Sequence, residues 1–161
     1  MLNYLGCLAV MGASVAVGLS YRWYREQVVL YMQALLDFIG KLEENVECYG
    51  RSISTWISNY KSPPLEESGF LERLRGKEHI GNAFDATKEN MQLTEGAKVL
   101  IQELFYGYGG RNLETQILSL KQGLCRLEEL IKNEKEMKDK SVRAVFAMSL
   151  GIAVGLCLLL S

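Results

Sequence analysis

From Leu113 onward the apolar residues fall at Leu113, Ile117, Leu120, Leu124, Leu127 and Ile131, alternately four and three apart. That spacing lays one narrow apolar stripe along a helix, the seam of a heptad repeat. Lys132 to Lys140 is charged nearly all round, and after Arg143 no charged side chain remains: Ala144 to Ser161 is eighteen residues without a charge. A run of that length reaches the threshold for a helix that crosses a bilayer. Asn112 is a good N-cap at its start. The pattern predicts one helix over 112–161, about 70 Å long at 1.5 Å per residue, which exceeds the core of a small globule.

The N-terminal half repeats the theme in reverse. Met1 to Tyr21 carries no charge, has no Lys/Arg region ahead of it as a signal peptide would, and is long enough to span the hydrocarbon. It reads as a retained anchor. Val28, Met32, Leu35, Ile39, Leu42, Val46 and Tyr49 then form a second heptad stripe, with Gly40 a place to expect a bend and Gly50 a stop. Ile53, Trp56, Ile57 and Tyr60 predict a short helix capped by Ser52 and broken at Pro63-Pro64. A further short helix is expected over Glu66–Arg75, ended by Gly76, and another from Phe84 to Glu89, capped by Asn82. Thr94 caps a stronger one bearing Ala97, Leu100, Ile101, Leu104 and Phe105, which stops at Gly107-Tyr108-Gly109-Gly110. No useful length alternates with period two. The expected fold is all-α: an antiparallel helical bundle over 22–143, with transmembrane helices at 1–21 and 144–161.

Charge placement then orients the chain. All Lys, Arg, Asp and Glu lie between Arg22 and Arg143. Arg22 and Arg25 follow the first span, with Trp23 beside them at the level aromatic rings prefer, and Lys138, Lys140 and Arg143 precede the second. The positive-inside rule puts the bundle in the cytoplasm and both termini across the membrane. Small residues at Gly12 and Ala16, Ser14 and Gly18, and Gly151 and Gly155 are spaced for close helix packing in lipid. The pairs Glu128–Lys132, Glu134–Lys138 and Glu136–Lys140 are in the favourable order for support along an exposed helix. The Glu and Asp interspersed in the charged run weigh against its binding anionic lipid, so helix support is the favoured reading, with Lys138, Lys140 and Arg143 still within reach of headgroups.

Little in the chain suggests chemistry. A net charge of −1 gives no reason to expect nucleic acid. The four cysteines, Cys7, Cys48, Cys125 and Cys157, form no C-x-x-C, and nothing specific recommends a Cys48–Cys125 disulfide. Gly107-Tyr108-Gly109-Gly110 lacks the Lys and Ser/Thr of a phosphate loop and reads as a turn. His79 lies in a polar stretch as a surface residue. Glu43-Glu44, Glu66-Glu67 and Glu128-Glu129 point about 100° apart on a helix and cannot converge on one atom. No catalytic residue, metal or cofactor is expected.

Tyr49-Gly50, the spacing Gly109-Gly110-Arg111-Asn112-Leu113-Glu114-Thr115-Gln116 and the ending Lys140-Ser141-Val142-Arg143 with its apolar tail together resemble the stage III sporulation protein AB family of endospore-forming bacteria. The resemblance runs the full length and singles out Gly109, Asn112 and Gln116 at a helix turn. Family members usually have Leu-Gly-x-x-Asp there; Tyr108 and Asn112 stand in, and Asn caps a helix about as well as Asp. Ser52-Ile53-Ser54 replaces a common Thr-Pro-Leu, and Phe146 sits near a usual Gly. The resemblance implies a subunit of the secretion-like channel joining mother cell and forespore, in the mother-cell membrane. Its soluble domain would be similar to the cytoplasmic domain of type II secretion platform proteins. The implied partners are the apparatus's cytoplasmic ATPase and its other membrane subunits. The residues alone also admit a pore-forming or transport subunit, though neither span carries the ionisable side chains a path would want.

Overall fold

The computed structural model describes residues 2–49, 53–110 and 112–160, and within them all side chains but those of residues 2–8, 10, 11, 14, 48, 49, 153 and 156–160. Every regular element among these residues is helical. They are α1 (Leu2–Tyr49), α2 (Ile53–Trp56), α3 (Pro63–Glu67), α4 (Phe70–Arg75), α5 (Ile80–Thr87), a 3-10 turn (Lys88–Asn90), α6 (Glu95–Tyr106) and α7 (Leu113–Leu160). The chain divides into two compact units, Gln27–Lys132 and Met1–Glu26 with Asn133–Ser161.

In the unit Gln27–Lys132, α1 buries Val28, Met32, Leu35, Ile39, Leu42 and Val46, the predicted stripe as far as Val46; the Tyr49 side chain lies outside those described. Tyr31, Ala34 and Phe38 are buried beside the stripe, so the contact face is wider than a heptad seam. Phe38 is the hub: its ring centroid lies 5.4 Å from Phe70, 5.6 Å from both Trp56 and Tyr60, and 6.1 Å from Phe105. Phe70 stacks on Phe105 at 5.9 Å, and Phe84 meets Phe105 edge-on at 5.5 Å. Such pairs add about 0.5–1.5 kcal/mol each beyond area burial. From α7 the core takes Leu120, Leu127 and Ile131, while Ile117 and Leu124 are half-buried. Leu113, expected to begin that stripe, is 54% exposed. Gly123 is the close approach of α6 to α7, where a Cβ would overlap the Leu104 methyls.

The short elements differ from expectation in instructive ways. The helix expected through Tyr60 stops at Trp56 and continues as i→i+3 turns, Asn59 N to Trp56 O and Tyr60 N to Ile57 O; Gly50 and its proposed cap Ser52 lie outside the described residues. Pro63 and Pro64 both break that segment and open α3, where a missing N–H costs nothing. The single helix expected over Glu66–Arg75 is two, split at Gly69, whose φ of +83° a side chain would resist. Gly76 ends α4 as expected, yet Lys77 is the left-handed residue (φ 65°). Lys77 N bonds Leu74 O and Glu78 N bonds Arg73 O, the paired bonds of a Schellman end. Asn82 is interior to α5: His79 is the cap, its Nδ1 accepting from Gly81 N at 3.2 Å. Thr94 caps α6 as expected, Oγ1 accepting from Ala97 N at 3.3 Å.

In the other unit the N-terminal part of α1 and the C-terminal part of α7 pack antiparallel. Gly18 is buried because the Phe146 ring lies over it; a Cβ there would stand 2.7 Å from Phe146 Cε1. Of the other small residues proposed for helix packing, Gly12, Gly151 and Gly155 have nothing described within 4 Å. Among the described residues no helix is long and apolar enough to cross a membrane, and much of the two charge-free ends falls outside the described side chains.

Candidate functional site

The residues predicted at a membrane boundary sit in the unit formed by the two chain ends, and Glu26 and Glu134 organise them. Arg25 Nη1 is 3.0 Å from Glu134 Oε2, both side chains largely covered at 13% and 15% exposure. Glu26 takes Arg22 at 3.0 Å from its own helix and Lys138 at 3.4 Å from α7. Arg22, then Lys138, hold the Glu26 carboxyl below its ordinary 4.5. Arg25 Nε is buried without a hydrogen-bond partner, so this pair is single-ended. Trp23 is 60% exposed. Lys140 and Arg143 are exposed and enter no ion pair among the described residues. The structure therefore places Arg22 and Lys138 on Glu26 and Arg25 on Glu134, and leaves Trp23, Lys140 and Arg143 facing outward.

These pairs correct the helix-support reading of the charged run. Glu134 and Lys138 do not pair with each other; each reaches across to α1. Neither Glu128–Lys132 nor Glu136–Lys140 forms an ion pair among the described residues. No local spacing announced these pairs, whose members stand more than a hundred positions apart in the chain.

The second predicted group, Gly109, Asn112 and Gln116, lies at the α6–α7 turn of the other unit. Gly109 has φ +87°, a left-handed conformation that favours glycine. Asn112 caps α7: its Oδ1 accepts from Thr115 N at 2.9 Å and its backbone O from Gln116 N at 3.0 Å. The Gln116 side chain hydrogen-bonds Tyr108, whose phenol is pushed up by burial and partly restored by that bond. Arg111 lies outside the described residues. Gly109 and Gln116, with Tyr108, Ile53, Leu74 and His79, line an open, largely apolar cleft of about 450 Å³. The turn is legible in the sequence and the cleft is not, because Ile53, Leu74 and His79 come from three other elements.

Nearby, α5 and α6 are tied at the surface by a Tyr106 hydroxyl donating to Asp85 Oδ2, with Lys88 Nζ 2.9 Å from Asp85 Oδ1. Lys121 of α7 bridges to Glu47 at 2.8 Å and Glu43 at 3.5 Å on α1. Cys125 is a free, exposed thiol; Cys48, its suggested partner, lies outside the described side chains. Among the described residues no three His, Cys, Asp or Glu side chains are grouped to hold a metal ion. These arrangements hold helices to one another and offer surfaces. The chain matches no family model, no curated protein and no solved structure.

Proposed function

We propose that this chain is a membrane-anchored platform or adaptor subunit that works by contact. In this reading the ends 1–21 and 144–161 cross a bilayer, the helical bundle lies in the cytoplasm and both termini lie on the far side. The observation that carries it is the exposure of large apolar side chains along the paired ends. Val15, Val17 and Leu19 on α1, and Met148, Leu150, Ile152 and Val154 on α7, all face outward. A paired apolar surface of that extent is unfavourable in water and suits hydrocarbon. The resemblance to the stage III sporulation protein AB family supplies the machine: the channel apparatus between mother cell and forespore, with its cytoplasmic ATPase as the partner of the bundle. Contact surfaces such as the cleft beside the α6–α7 turn support a role in docking.

The test has two arms. Alkaline carbonate extraction of membranes should leave the full chain in the pellet; release into the supernatant contradicts the anchor. The detergent-solubilised full chain should co-purify with the apparatus ATPase without any turnover of its own. Failure to associate while the rest of the apparatus assembles contradicts the adaptor role, and solute flux through vesicles holding this chain alone would favour a pore instead.

A further inference from the structure

We infer that the chain-end unit carries a girdle that selects anionic phospholipid, with Lys140 and Arg143 as the recognising cations. The inference rests on the membrane reading above and adds a ligand class to it. Its basis is the register of the helix pair. Gly18 lies against Phe146 and Glu26 reaches Lys138, so in the antiparallel pair Lys140 is level with Tyr24 and Arg143 with Tyr21. Arg22 and the exposed rings of Trp23 and Tyr24 therefore share one helical turn of height with Lys140 and Arg143. Immediately beyond this turn, in both helices, charge ends.

What separates these cations is what each has left to bind. Arg25 is spent on Glu134, and Lys138 and Arg22 on Glu26. Lys140 and Arg143 have no carboxylate partner among the described residues and stand exposed at the height of Tyr24 and Tyr21. Two unspent cations at the level where headgroups would lie, at the same height as Tyr21, Trp23 and Tyr24, complement a phosphate that bears a net negative charge. A zwitterionic headgroup brings its own cation and gains less. Each unpaired cation near such a surface changes anionic-lipid partition by about fivefold at low salt, less as salt screens it.

Trp23 reports on the site directly. The full chain carrying Trp56→Phe, with Trp23 its sole tryptophan, is reconstituted in vesicles in which either phosphatidylglycerol or phosphatidylcholine is brominated near the headgroup. The expected result is stronger quenching by brominated phosphatidylglycerol at equal mole fraction, a preference of about fivefold or more, reduced by high salt. Lys140→Gln with Arg143→Gln should bring the ratio close to one, and Lys140→Arg with Arg143→Lys should keep it. Equal quenching by the two lipids, or a preference that survives the double glutamine variant, overturns the proposal while leaving the anchor intact. No quenching by either lipid removes the membrane reading, and this inference with it.

Discussion

The two units treat their apolar side chains in opposite ways. In Gln27–Lys132 the large rings and branched chains are inside: Phe38, Phe70, Phe84 and Phe105 are all fully buried. In the unit of the chain ends, Val17 is 59% and Ile152 64% exposed, although both belong to helices that pack on each other. A sequence sorted by burial is what water demands, because exposed apolar area costs about 25 cal/mol per Å². The outer faces of the chain-end helices do not follow that rule, and the proposal that they lie in lipid would account for the difference.

The largest effect is expected in the aromatic core. Phe38→Ala should cost about 3–5 kcal/mol, read as a large drop in the thermal midpoint of the full chain in detergent by circular dichroism. Ile152→Ala in the same assay should leave the midpoint nearly unchanged. Comparable losses from both would show that the ends are packed like the bundle.

Next in size is the close approach in the chain-end unit. Gly18→Leu must displace the Phe146 ring, and overpacking of this kind costs about 1–3 kcal/mol. Cross-linking of cysteines placed at Leu19 and Val145 should fall in that variant. Pairing Gly18→Leu with Phe146→Gly should restore much of it, since the bulk then sits on the opposite helix. A cap is worth less: Asn112→Ala should cost about 1 kcal/mol, and Asn112→Asp should cost almost nothing.

The smallest effect is a pH dependence at the Lys121 bridge. Its hydrogen bond holds Glu47 below the ordinary 4.5, while burial, then Glu47, pushes Glu43 above it. A lowered carboxyl stabilises above its unfolded pKa and loses that as pH falls through the folded value; a raised one stabilises in acid and loses that as pH rises. In the wild type the two oppose each other. Lys121→Met removes the lowering influence from both, so the variant should be relatively more stable in mild acid than at neutral pH when melting midpoints are compared with wild type. A pH-independent difference would contradict the assignment.

How much of this could be read beforehand depended on whether a feature was local. The length of α7, the caps at Thr94 and Asn112 and the stripe from Val28 to Val46 are set by neighbours within a turn or two, and were legible. Phe38 was not, because a heptad stripe describes one partner helix, and α1 here buries a wider arc under rings from α2, α4 and α6. Gly69 and Lys77 were missed for a related reason: which residue goes left-handed depends on how α3 and α4 must turn to bring Leu65, Phe70 and Leu74 inward. His79 displaced Asn82 as a cap because Ile80, Ala83 and Phe84 face the core, which moves the start of α5 upstream. The Arg25–Glu134 and Lys138–Glu26 pairs joined residues more than a hundred positions apart. The cleft beside Gly109 and Gln116 needed three further elements to exist.

The central claim, one chain in two solvents with its bundle on the inner side, meets its most direct test at Cys125. With Cys7, Cys48 and Cys157 replaced by Ser, the exposed Cys125 thiol becomes the single target for a membrane-impermeant maleimide. No labelling is expected in intact cells, and full labelling once they are lysed. Labelling of Cys125 in intact cells would contradict the claim.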